Sequence, residues 1–157
     1  VTKQTNQSPQ DSLEGQTHTS PLPKPAGAVL ALLMLPYPPL SGNHANRQGL
    51  GRTYKRPEAV AYELEIKRRI VTSRYAGATI DEPIAIELQV WPPDRRARDQ
   101  TNVCKVLEDA LTRAKFWADD SNRIIKRTTF QWHDFDAAEA KEGCVMLTVT
   151  RFPRLSQ

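Results

Sequence analysis

Apolar positions run, alternate and recur along this chain, and each rhythm predicts an element. Val29 to Leu35 is an unbroken apolar run of strand length closed by Pro36-Tyr37-Pro38-Pro39. It predicts a buried central or near-central strand. Leu40 to Leu50 is polar, with turn signals at Ser41-Gly42-Asn43 and Gly49, and reads as a loop. Arg52 to Lys55 can form a short strand. From Glu58 to Val71, Ala59, Tyr62, Ile66 and Ile70 recur at helical spacing, and Val60, Leu64 and Val71 widen that face. Ile84, Ile86, Leu88 and Val90 alternate with polar residues and predict a strand with one solvated face. A second helix is expected from Asn102 to Ala114, with Val103, Leu107, Ala110, Leu111 and Ala114 on one side. Thr101, Lys105, Glu108 and Thr112 gather on the other. Two more strands, Ile124–Trp132 and Val145–Phe152, flank an acidic stretch, His133 to Gly143, read as a hairpin-type connection with a short helical turn. Strands mixed with two helices, without a repeated strand–helix–strand pattern, predict an α+β fold. Its sheet is mixed, with about four to five strands.

Composition adjusts this picture at one end. Residues 1–27 are rich in Gln, Thr, Ser and Pro and read as a disordered tail, leaving 28–157 as one domain. The apolar run at 28–35 is shorter than the ~20 residues that a membrane helix needs. It is also badly placed for a signal peptide, so a cytoplasmic protein without a membrane partner is expected. Cys104 and Cys144 stand in no metal spacing and read as free, buried thiols. Trp91, Trp117 and Trp132 lie beside strand positions and read as core. A stacking role on single strands is the sharper alternative for them.

Charge alters the picture more. The net charge is only +4, yet the cations fall into two blocks, 47–75 and 95–127, on either side of an acidic stretch. Clustering of this kind suits a phosphate-bearing polymer. The three histidines, His18, His44 and His133, are scattered, and no Gly-rich phosphate loop follows a strand. Zinc and nucleotide-loop chemistries are therefore poor fits. Lys67, Arg68 and Arg69 close the first helix, where they can serve the helix dipole or a phosphate equally well.

One stretch concentrates candidate chemistry. After Trp91-Pro92-Pro93-Asp94 come Arg95, Arg96 and Arg98, then Asp99, then the second helix carrying Lys105; Asp119-Asp120 follows the helix. Two carboxylates, Asp99 and Asp120, can offer the one or two protein ligands that Mg²⁺ accepts, with water and phosphate completing its shell. Lys105 can steady developing negative charge or protonate a leaving oxygen. Arg95, Arg96 and Arg98 can hold phosphates. Each residue also has a plainer reading. Asp99 can be only a helix cap, Asp119-Asp120 only turn residues, and the arginines only a solvated loop.

The ordered run Pro92-Asp94-Arg95-Arg96-Arg98-Asp99-Asn102-Lys105, then Asp109-Ala110-Leu111-Thr112, then Trp117-Ala118-Asp119-Asp120, resembles the RusA family of Holliday junction resolvases. Leu35-Pro36-Tyr37-Pro38-Pro39 and Arg52-Thr53-Tyr54 extend the likeness, which covers about residues 29–152. The resemblance implies a small α+β homodimer, of a kind often carried by prophages, that nicks four-way DNA junctions in a Mg²⁺-dependent reaction, with Mn²⁺ a possible substitute. It implies Asp99 and Asp120 as metal-binding carboxylates, Lys105 as the essential lysine, and Arg96 and Arg98 as DNA-contacting residues, beside which Arg95 is expected to bind DNA on its own chemistry. One departure stands out: the family's usual second aspartate, two positions after the first, is Thr101 here. The same fold with weak or absent cleavage is the alternative that this departure raises.

Overall fold

The computed structural model describes residues 27–40, 44–49, 51–135 and 142–153. The expected tail at 1–27 lies outside them apart from Gly27, and the helical turn expected within His133–Gly143 lies largely outside them too. Eight elements follow in order: β1 (Val29–Pro36), β2 (Asn46–Gly49), β3 (Arg52–Lys55), α1 (Pro57–Val71), β4 (Ile84–Trp91), α2 (Gln100–Arg113), β5 (Ile125–Trp132) and β6 (Cys144–Arg151). The main sheet has the strand order β1-β6-β4-β5, and β2 with β3 makes a separate two-stranded ribbon. Only β4 and β5 run parallel, joined by α2; β6 is antiparallel to both of its neighbours. The fold is α+β with a mixed four-stranded sheet, as the patterning predicts.

Alternation along the strands sorts the sheet into two faces. Ala31, Leu33 and Leu35 of β1, Ile84 to Val90 at even positions of β4, and Val145, Leu147 and Val149 of β6 enter one core cluster. The helices supply Tyr62, Ile66 and Ile70 from α1, and Leu107, Ala110 and Leu111 from α2. Trp117 and Phe116, just after α2, are fully buried in the same cluster. The Trp117 indole N–H donates to Thr112 Oγ1 at 2.7 Å, so its one polar atom stays satisfied inside the core.

Four expectations are corrected. β1 is an edge strand, because β6 takes the place beside it and its other side meets no strand among the described residues. That outer edge is blunted by side chains: Tyr75 Oη accepts from the Leu32 amide, while Arg69 and Tyr62 donate to the carbonyls of Met34 and Pro36. An apolar run reads alike in a centre or at an edge, and here Leu32 and Met34 remain half exposed. Second, β5 and β6 form no hairpin; β5 lies beyond β4 at the far edge, where its polar, basic outer side suits an edge. Third, the loop expected at 40–50 contains β2, paired with β3 across a tight turn at Gly51, whose φ of 72° suits glycine. Fourth, Val60, Leu64 and Val71 do not widen the buried face of α1 but stand exposed.

Candidate active site

The site begins where β4 ends. Pro92 and Pro93 offer no amide to the ladder, and the chain leaves the sheet there. The loop that follows is buckled by its own charges. Asp94 Oδ1 accepts the Arg96 amide at 2.8 Å, and Asp94 Oδ2 pairs with Arg98 at 2.8 Å. The guanidinium of Arg98 also donates to the carbonyls of Asp94 at 3.2 Å and Arg96 at 2.9 Å, and lies 5.3 Å from the Tyr37 ring centroid. The Arg98 hydrogen bond, helped by the Arg96 amide, holds the Asp94 carboxyl below its ordinary value. Arg98 is thus spent on shaping the loop, with its side chain 19% exposed. Arg95 and Arg96 point into solvent. A cleft of about 580 Å³ opens between this loop and Tyr37-Pro38-Pro39 and reaches Asp99 and Asn102. The far end of the chain closes on the loop at Gly143, where a Cβ would come within 2.8 Å of Pro93 and 2.9 Å of the Trp91 carbonyl oxygen.

Asp99 is the N-cap of α2. Its carboxylate accepts from the Thr101 amide at 2.8 Å and from Asn102 Nδ2 at 3.1 Å. The cap uses one bond on each oxygen, and the residue is exposed, so lone pairs remain for another ligand. Along the helix from Asp99 run Thr101, Lys105 and Glu108. Lys105 is exposed and makes no ion pair or hydrogen bond among the described residues. Glu108, next on that stripe, is half buried. Burial pushes its carboxyl up, a Thr128 hydroxyl at 3.4 Å pulls it back, Asp120 pushes it up again, and Lys105 pulls it down. Glu108 therefore lies in the fields of both Lys105 and Asp120. Asp120 is exposed in the turn between α2 and β5. Cys104 lies in the fields of Glu108 and Asp99, and burial raises its thiol to about 11, which leaves it protonated. The two cysteines are free, and each is half buried.

Of the predicted residues, Asp99 caps α2, Lys105 stands on it, Asp120 lies in the turn after it, and Arg95, Arg96 and Arg98 lie in the loop before it. No hydrogen bond or ion pair joins Asp99, Lys105 and Asp120 among the described residues. Nor does any group of three His, Cys, Asp or Glu there stand close enough to hold a metal ion. Exposed single carboxylates fit a cation that takes one or two protein ligands and fills its shell with water and substrate phosphate, as Mg²⁺ does. They do not fit a closed, all-protein metal cage. Patterning had put Glu108 on the Lys105 stripe without a role; its coupling to Asp120 depends on the turn after the helix, which no periodicity reports. The tryptophans divide: Trp117 is core, Trp132 is 36% exposed, and Trp91 stacks on His133 with ring centroids 4.1 Å apart.

A two-layer α+β body that displays a lysine unpaired among the described residues on one helix, exposed arginines in the loop before it and exposed single carboxylates at its two ends defines a class of proteins suited to a polyanion. The chain's sequence narrows that class. Residues 36–141 match the family model described as endodeoxyribonuclease RusA. Over 98 residues the chain is 37% identical to the crossover junction endodeoxyribonuclease RusA of Escherichia coli strain K12, covering 60% of this chain and 80% of that protein. The corresponding proteins of Enterobacteria phage 82 and Shigella sonnei are also 37% identical over the same shares. The chain belongs to the RusA endodeoxyribonuclease family.

Proposed function

We propose that this protein is a divalent-metal-dependent endonuclease that resolves four-way DNA junctions by paired nicks. Mg²⁺ is the metal of choice, and Mn²⁺ is expected to substitute. The observation that carries the reading is the placement of three exposed charges on and around α2: Asp99 caps its start, Lys105 stands on it with no ion pair or hydrogen bond among the described residues, and Asp120 follows it in the turn before β5. Asp99 and Asp120 would hold the cation, which when bound supplies charge neutralisation and an activated water. Lys105 would steady the charge that grows on the attacked phosphate. Arg95 and Arg96 would hold flanking phosphates as bidentate forks. Arg98, expected among the DNA-contacting residues, would serve them by holding the loop in shape. Two opposed nicks need two sites, so a homodimer facing a two-fold junction is part of the proposal. A DNA substrate of this kind fits a cytoplasmic enzyme. The test is an immobile four-way junction with Mg²⁺, with Mn²⁺ and with chelator. Symmetric nicks that vanish with chelator and in Asp120→Asn are expected. Undiminished nicking in that variant removes Asp120 from the site.

A second reading has its own support. Thr101 stands where the family usually has an aspartate. A junction binder that cuts weakly or not at all fits this. Thr101→Asp would then raise nicking several-fold, while an unchanged rate would show that charge at 101 does not limit the reaction.

A further inference from the structure

Residues 41–57 contain four cations and no acid. Folding turns part of this stretch into the β2–β3 ribbon, which belongs to no other sheet. Its register pairs Arg47 with Tyr54, Gln48 with Thr53, and Gly49 with Arg52. Because side chains alternate along each strand, Arg47, Arg52 and Tyr54 share one face, and Gln48 and Thr53 share the other. All three residues of the first face are exposed, and neither arginine has an ion-pair partner among the described residues. The base of the ribbon is anchored. Lys55 pairs with Glu63 of α1 at 2.6 Å, and the Arg56 amide donates to the Ala45 carbonyl at 2.8 Å. That base walls a cleft of about 100 Å³ whose other side includes Lys105 and Asp109 of α2. An acid-free ribbon, fixed at its root beside the proposed catalytic lysine, is charge-complementary to a DNA arm entering that site.

We propose that the β2–β3 ribbon is a DNA-gripping arm: Arg47, Arg52 and Tyr54 donate hydrogen bonds to the phosphate backbone of the duplex arm next to the cleaved strand. Side chains of these types are regular phosphate donors, and a two-stranded ribbon is slim enough to lie along a groove. The proposal rests on the nuclease reading above and adds an element that the loop arginines do not supply. Phosphate contacts set register without reading sequence, so the arm affects affinity and salt dependence more than choice of cleavage sequence.

The test measures binding of a labelled four-way junction to the full chain over a range of salt, without divalent metal, alongside nicking by the wild type with Mg²⁺. In Arg47→Ala/Arg52→Ala the slope of log affinity against log salt should fall by about two and affinity by about tenfold or more. Gln48→Ala/Thr53→Ala, on the opposite face, should keep the wild-type slope. Hydrogen exchange of the wild-type ribbon provides a readout that needs no variant: amides in 46–49 and 52–55 should slow when the junction is added. An unchanged slope and affinity, or ribbon amides indifferent to DNA, overturns the arm and leaves the nuclease reading standing. A wild type that neither binds nor nicks the junction overturns both.

Discussion

The two helices make an instructive pair. Both lie on the same face of the sheet and bury similar apolar stripes. They differ in what becomes of their charges. On α1, Glu65 accepts from Arg68 at 2.7 Å and from Arg69 at 2.7 Å, and Arg69 also caps a carbonyl of the β1 edge. Its polar residues are largely satisfied within the fold. On α2, Arg113 pairs with Glu63, but Lys105 has no such partner among the described residues, and Asp99 at its cap and Asp120 in the turn after it are exposed. Charges consumed locally stabilise little but commit the residues that make them. Charges left open cost little at a surface and remain available to a ligand. The basic end of α1, which patterning left divided between dipole and phosphate, is thus structural for Arg68 and Arg69.

The largest expected difference lies in catalysis. Lys105→Ala should lower junction nicking by about 10²–10⁴-fold, the range for a positioned acid–base or charge-stabilising group. Its melting temperature should stay at the wild-type value. Arg68→Ala, a cation from the same kind of surface on α1, should leave nicking alone; comparable losses in both variants would erase the contrast. Asp99 separates the two kinds of role within one residue. Asp99→Ala removes a cap worth about 1 kcal/mol and should lower both stability and nicking. Asp99→Asn keeps a good cap and loses the charge, so nicking should fall while the melting temperature holds. If the Asn variant cuts normally, Asp99 is a cap and nothing more.

The smallest effect is a titration. Hydrogen bonds from Arg68 and Arg69 hold the Glu65 carboxyl at about 2. A depressed carboxyl contributes stability that is present above its unfolded value, near 4.3, and is lost as pH falls through about 2. Carboxyl NMR should therefore find Glu65 titrating well below an ordinary glutamate. A midpoint near 4.3 would show that the α1 charges are no more engaged than those of α2.

How much of this was readable in advance follows from what each signal encodes. The buried stripe of α1, the α2 cap at Asp99 and the alternation of β4 all rest on local spacing, and the fold contains them as spaced. Motif order is what singles out Asp99, Lys105 and Asp120 as candidates. Strand neighbours are different, because they are set by long-range pairing. Nothing in Val29–Leu35 says whether another strand lies outside it, and nothing in residues 133–143 says that β6 departs to the opposite side of β4. The fate of Arg98 was hidden for a similar reason. In sequence it is one arginine among three, and only the fold of its loop brings Asp94, two carbonyls and Tyr37 around it.

The place of β6 bears on how this molecule comes into being. The last strand in chain order is second in the sheet, flanked by β1 from the start of the domain and by β4. Until it arrives, β1 and β4 have no common partner, and the pairings that close the sheet span most of the domain. Contacts so distant in sequence make folding slow and its final step late. The docking of Gly143 against Pro93 waits on the same event. A partly made chain therefore holds an unfinished sheet and a loose arginine loop, and the proposed catalytic face takes its working form only once the final strand is in place.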